Sequence, residues 1–135
     1  MNPTIEETFK ALHAYMTLQV PVGYQVTAEH SDTEYHRGRW IVDIFNADGD
    51  YIGRHIIGVT ITNGHWSFDV EATYVPAKRL QNGDVTPNGK VSAISEPYPV
   101  GPNNTLVISI YYGRNVDLTA HPNELVKITS TSLFS

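Results

Sequence analysis

The stretch RWIVDIFNADGDYIGRHIIGVTITNGHWSFDVEATYV, residues 39–75, decides the fold. Three apolar runs are separated there by two turn dipeptides, Asp48-Gly49 and Asn63-Gly64. A type I′ turn needs positive φ at both central residues, which Asn, Asp and Gly tolerate best, and its twist matches that of two paired strands. Strands are therefore predicted over 39–45, 51–62 and 65–75, joined as an antiparallel meander. The first is apolar on both faces, at Trp40, Ile41, Val42, Ile44 and Phe45, which suits a central position. The last alternates. Trp66, Phe68, Val70, Ala72 and Tyr74 lie on one side, with His65, Ser67, Asp69, Glu71 and Thr73 on the other, so one dry and one wet face are expected.

Towards the N-terminus, Ile5, Phe9, Leu12 and Met16 recur at steps of four, three and four, one apolar stripe of a helix over about 4–18. Thr4 and Glu7 have the capping-box spacing, and Asn2 with Pro3 is a rival start; both place Glu6 and Glu7 in the first turn, where the helix dipole favours acids. Pro21 and Gly23 stop the helix. Val22, Tyr24, Val26 and Ala28 then alternate with polar residues in a strand over 22–29.

Towards the C-terminus, Pro76 to Lys90 reads as an exposed polar excursion, with Asn82-Gly83 and Asn88-Gly89 as turns. Short strands follow at 91–95 and 105–112, separated by a proline-punctuated loop (Pro97, Pro99, Pro102). After a turn region at 117–123, a last strand over 125–134 ends in a Thr/Ser repeat that suits an edge. Together these segments predict an α+β chain in one domain, 1–135: an N-terminal amphipathic helix packed on a mainly antiparallel β-sheet, or small β-sandwich, built from hairpins. Phe9, Leu12, Trp40, Ile57, Trp66 and Phe68 are its expected core, and the chain after Pro76 is the part expected to meet a partner.

The composition narrows the function classes. Cysteine is absent, which removes disulfides, thiolate nucleophiles and zinc–thiolate sites together. Nine Lys and Arg against a net charge of −5 leave no basic patch for a phosphate backbone, so nucleic acid is not expected as a main partner. No apolar run approaches the roughly 20 residues of a membrane span. The opening MNPTIEETFK carries acids and no apolar run, so no secretory signal is expected, and the location expected is the cytoplasm or a virion. A charged fraction of only 17% leaves a weakly repelling surface, compatible with packing in an assembly.

Four constellations could carry chemistry. His30, Asp32, Glu34 and His36, spaced by two, would share one face of an extended strand, and imidazoles with carboxylates suit a divalent metal. That face is also the apolar face of the flanking strands, so a solvated loop is the simpler reading and no metal is expected. Asn46, Asp48 and Asp50 around Gly49 resemble part of a calcium loop, but Ile44 and His55 occupy its two key acid positions, and turn chemistry alone explains Asp-Gly there. His36, Arg37 and Arg39 form one small basic spot, better read as a lead-in to a strand. Asp69 and Glu71 share a strand face that looks wet, where neither pKa would be raised for acid–base work. No nucleophile elbow and no phosphate loop is present. Catalytic residues and cofactors are therefore not expected.

Most aromatics alternate with aliphatics as core residues do. Tyr98, between two prolines, is the exception; it is expected to contact a partner, together with Lys78 and Arg79 of the polar excursion. The leading expectation is a non-enzymatic structural or interaction protein that self-associates or assembles, of the kind found in a tailed-phage virion as a decoration, neck or tail component. The alternative is a small-ligand or carbohydrate-binding domain using a helix-on-sheet aromatic cleft. An enzyme comes third, with His30, Asp32 and His36 as the residues to test.

Overall fold

A computed structural model describes residues 4–31, 38–113 and 116–129. The chain is α+β: one N-terminal helix packed on mainly antiparallel β-sheets. It divides into two compact units, with the boundary between Thr73 and Tyr74.

The first unit opens with α1 (Ile5–Gln19), and the capping box forms as its spacing predicts. The Glu7 backbone N–H donates to Thr4 Oγ1 at 3.0 Å, and the Glu7 carboxylate accepts the Thr4 N–H at 3.4 Å. Two otherwise orphaned donors are satisfied this way. The rival start at Asn2 and Pro3 lies outside the described residues. The buried stripe is Thr8, Leu12 and Met16, whereas Ile5 and Phe9 are exposed. The helix is thus rotated slightly from its predicted stripe. Thr8 can occupy the buried line because its hydroxyl donates to the Thr4 carbonyl at 3.0 Å. His13 Nε2 sits 3.0 Å from the carbonyl of Val26 and ties the helix to the first strand.

Four strands follow: β1 (Gln25–Ser31), β2 (Arg39–Phe45), β3 (Tyr51–Thr62) and β4 (His65–Pro76), neighbours in that order. β1 begins later than predicted because Tyr24 N–H closes a turn on the Pro21 carbonyl, with Gly23 at φ 92°, and this leaves Val22 fully exposed. The β3–β4 turn has positive φ at both Asn63 and Gly64, as type I′ requires. The β2–β3 turn differs from expectation. Only Gly49 has positive φ; its N–H reaches the Asn46 carbonyl, and Asn46 Oδ1 accepts from the N–H groups of Asp48 and Asp50. That is a type I turn followed by a left-handed glycine, which shifts the register between Ile44 and Phe45.

Register places Trp40, Val42 and Ile44 of β2 opposite Ile57, His55 and Gly53 of β3. Phe9 of α1 meets Trp40, so this is the helix-covered face. Leu12, Val42, Ile44 and Ile57 are fully buried. Phe9, Trp66 and Phe68, expected in this core, remain partly exposed around it. The alternation predicted for β4 does not run its full length. Phe68 meets Tyr15 of α1, yet Thr73, five residues on, meets His55 on the same side of the sheet. An odd spacing on one face needs one irregularity between, and Val70, predicted to be core, is half exposed there.

On the opposite face, Arg39 of β2 pairs with Glu71 of β4 across the intervening Gly58 of β3. A Cβ on Gly58 would stand 3.1 Å from Glu71 Oε1. Gly58→Val is therefore expected to displace Glu71 and break the ion pair. Because that pair is solvated, its own loss is small, and most of a total cost of about 1–2 kcal/mol comes from crowding. Glu71→Ala in the same background should restore part of the lost melting temperature; a drop that Glu71→Ala leaves unrelieved would refute the clash. Beside this pair, Asp43 accepts both Arg54 nitrogens, at 2.8 and 3.2 Å, and the Tyr51 hydroxyl at 2.6 Å.

β4 continues into the second unit, where β10 (Leu125–Ile128) is its neighbour. Between them lie a 3-10 turn (Ala77–Arg79), β5 (Val85–Thr86), β6 (Gly89–Ile94), β7 (Tyr98–Val100), β8 (Thr105–Tyr112) and β9 (Val116–Ala120). β8 is the hub: β6, β7 and β9 all pair with it, antiparallel. The core is aliphatic, with Val75, Ala77, Leu80, Val91, Ile108 and Ile110 closed over by Tyr112, Ala120 and Ile128. The excursion predicted at 76–90 is therefore only partly exposed. Ala77 and Leu80 are anchored in the core because the 3-10 turn hangs on β10's approach, Ala77 N–H to Glu124 carbonyl and Lys78 N–H to Pro122 carbonyl. β7 and β9 fall where loop and turn were expected; of the last predicted strand, residues 130–134 lie outside the described residues.

Candidate functional site

The second unit carries an open cavity of about 420 Å³ between the 3-10 turn and the junction of β6 and β7. Its origin lies in the sequence Ser95-Glu96-Pro97. β6 and β7 lie along the same β8 strand, Ile94 opposite Ile110 and Tyr98 opposite Val107. Proline has no N–H for the ladder, so pairing lapses between them. Ser95 repairs the lapse: its N–H donates to the Ser109 carbonyl at 2.9 Å, and its hydroxyl oxygen accepts the Ser109 N–H at 2.9 Å while donating to the Glu96 carbonyl at 3.0 Å. A side chain thus takes the place of a backbone acceptor, and the register slips by one residue between the Ile94–Ile110 and Tyr98–Val107 pairs. The lining is made by Ile94, Ser95, Glu96 and Pro97 of this segment with Lys78 and Arg79 of the 3-10 turn, and by the fully buried Ile108.

The electrostatics of this space are unbalanced. Arg79 Nε is buried and has no hydrogen-bond partner among the described residues. Leaving a buried donor unpaired costs about 1–3 kcal/mol, more when it is charged, so such groups mark places where an acceptor belongs. Lys78 adds a second cation and Glu96 a single acid. The cavity can hold an anion against a planar guanidinium fork with aliphatic surface alongside.

The predicted contact residues are placed as follows. Lys78 and Arg79 line the cavity. Tyr98 is not in an exposed loop: it opens β7, is half-buried, and its hydroxyl lies 2.6 Å from Ser109 Oγ. It braces the strand next to the cavity, and its polar atom is occupied. Ser95, Glu96, Ser109 and Ile108 were not singled out from the sequence. The readable signal for the first two was a proline directly after a strand end; Ser109 and Ile108 look like any strand pair until the register is known.

Of the metal candidates, His30 is the penultimate residue of β1, opposite Trp40, its ring edge-on at 5.1 Å. Asp32, Glu34 and His36, with Arg37, lie outside the described residues. Among the described residues no group of three or more His, Cys, Asp or Glu side chains is placed to hold a metal. Asn46 spends its side chain on the turn, and Glu71 spends its carboxylate on Arg39. The perturbed groups serve structure: burial pushes the His55 imidazole below its ordinary value, and burial with the Asp43 hydrogen bond pushes the Tyr51 phenol up.

In the first unit, Tyr15 of α1 and Phe68 and Trp66 of β4 make a half-exposed aromatic row. Tyr15 and Phe68 are 4.8 Å apart by centroid; Phe68 and Trp66 are 6.1 Å apart and within 8° of parallel. No helix among the described residues is long and apolar enough to cross a membrane. Compared with known proteins, the chain matches no family model, no curated protein and no solved structure.

Proposed function

We propose that this chain is a non-enzymatic interaction protein, a subunit of a larger assembly that meets its partner through the second unit around Lys78, Arg79 and the β6–β7 junction. The observation that carries this reading is the open cavity of the second unit, lined by two cations, Lys78 and Arg79, against the single acid Glu96. A binding face is the simplest use for a cation held ready without its anion. Leu106, half exposed on the β7–β8 hairpin and on the same face of β8 as Ile108, adds apolar area of the kind that interfaces cover. A second copy is a suitable partner by charge, since each chain carries fourteen acidic residues. A tailed-phage virion is the kind of particle that a small, cysteine-free, hairpin-built chain of low charge suits.

Sedimentation velocity across a concentration series tests the proposal. A defined oligomer is expected, and Arg79→Glu with Lys78→Glu should shift it towards monomer while leaving the circular-dichroism spectrum intact. A monomer at several hundred micromolar would overturn self-assembly, and an oligomer indifferent to both substitutions would move the contact elsewhere.

A second reading has its own observation. The Tyr15–Phe68–Trp66 row is a helix-on-sheet aromatic surface on which a sugar ring could stack. Trp fluorescence titrated with neutral oligosaccharides decides it: a saturable change abolished by Phe68→Ala supports the reading, and a flat titration removes it.

A further inference from the structure

Resting on the interaction reading, we infer that the second-unit cavity is a carboxylate site that takes the side chain of an Asp or Glu presented by a protein partner. Three features of the walls choose among anions. Arg79 lines the cavity, and a guanidinium is a planar fork that a planar carboxylate meets with two parallel hydrogen bonds. The charge count is then restrictive. Lys78 and Arg79 face a lining that also contains Glu96, so the cavity has a net charge of one and neutralises one anionic charge, whereas a phosphate dianion would leave a surplus repelled by Glu96.

The third feature is shape. Ile94 and Pro97 give the cavity an apolar side that inorganic anions cannot use, but that the methylene stem of an acidic side chain can cover. A volume of about 420 Å³ exceeds what a bare carboxylate fills and leaves room for the residue that bears it. Ser95 does not compete for the ligand, because both its donor and its acceptor are engaged with Glu96 and Ser109. Its role is positioning. With Tyr98 clamped on Ser109, it fixes the β6–β7 segment on β8.

The test is an amide-resolved NMR titration of the full chain with three probes: acetate, inorganic phosphate, and glutamate blocked as its N-acetyl amide. Blocked glutamate is expected to shift the signals of 78–79 and 94–97 saturably, at least several-fold more tightly than acetate, with phosphate weakest. Arg79→Gln should weaken the blocked glutamate at least tenfold while the chain stays folded by circular dichroism, and Glu96→Gln should raise phosphate binding. Equal affinities for acetate and blocked glutamate would overturn the side-chain assignment in favour of a free small carboxylate. Phosphate binding as tightly as carboxylate, or identical titrations in wild type and Arg79→Gln, would overturn the site. The two readings fail separately: a monomer that still binds blocked glutamate contradicts self-assembly alone, and an oligomer whose cavity signals never move contradicts the carboxylate site alone.

Discussion

Ile108→Ala is expected to destabilise the second unit by about 2–5 kcal/mol, the largest single effect foreseen for this chain. Ile108 is fully buried at the centre of β8, packed among Val91, Ile110 and Ala120, and it also floors the cavity. Removing its methyl and methylene groups costs their transfer free energy and leaves a void that strands paired on both sides cannot collapse into. Leu106, two residues earlier on β8, is half exposed, and Leu106→Ala should fall within about 0.5 kcal/mol of wild type. Urea unfolding of both variants makes the comparison. A loss below about 1 kcal/mol for Ile108→Ala would mean that this core is not packed as described.

The second large effect concerns His55. Its Nδ1 lies 2.9 Å from Thr73 Oγ1, and both residues are buried. Thr73→Val keeps the shape but orphans the imidazole nitrogen, at a cost of about 1–3 kcal/mol. The pH dependence follows from burial, which holds the folded pKa below the ordinary 6.5. Above 6.5 neither state binds the proton, and the stability is fully present. As the pH falls below 6.5 the unfolded chain takes the proton first, so stability declines until the folded pKa is passed and both states are protonated. The double replacement His55→Leu with Thr73→Val removes both polar partners together. It should recover most of the loss of Thr73→Val at neutral pH and flatten the decline between pH 6.5 and the acid limb. Melting temperatures measured from pH 4.5 to 8 check this, and an unchanged slope in the double variant would show that His55 does not carry it.

Much of the fold was legible because its signals are local. Thr4 and Glu7 cap α1 through atoms three residues apart, and Asn63-Gly64 turns the chain through its own φ angles. Such features need no distant partner, so residue type and spacing suffice. The errors share a different cause. Val70 and Phe68 read alike in the alternation, yet Phe68 packs beside Tyr15 of α1 while Val70 is left half exposed. Asp48-Gly49 reads like Asn63-Gly64, yet the Asn46 side chain claims the backbone N–H groups and selects another turn.

The candidate site was legible only as a suspicion about Lys78, Arg79 and Tyr98. What joins the first two to Glu96 and Ile108 is the registry of β6 and β7 on β8, set by pairings across 5 to 21 residues, together with the bonds of the 3-10 turn to Pro122 and Glu124. The sequence by itself determined the helix with its cap, the Asn63-Gly64 hairpin and the absence of thiol chemistry, since each rests on neighbouring residues or on composition. Only the tertiary structure decided that Pro97 opens a cavity rather than ending a loop, that Ser95 stands in for a lost backbone acceptor, and that Arg79 Nε has none among the described residues. Burial and partnership belong to pairs of residues brought together from distant parts of the chain, and no single stretch of sequence contains them.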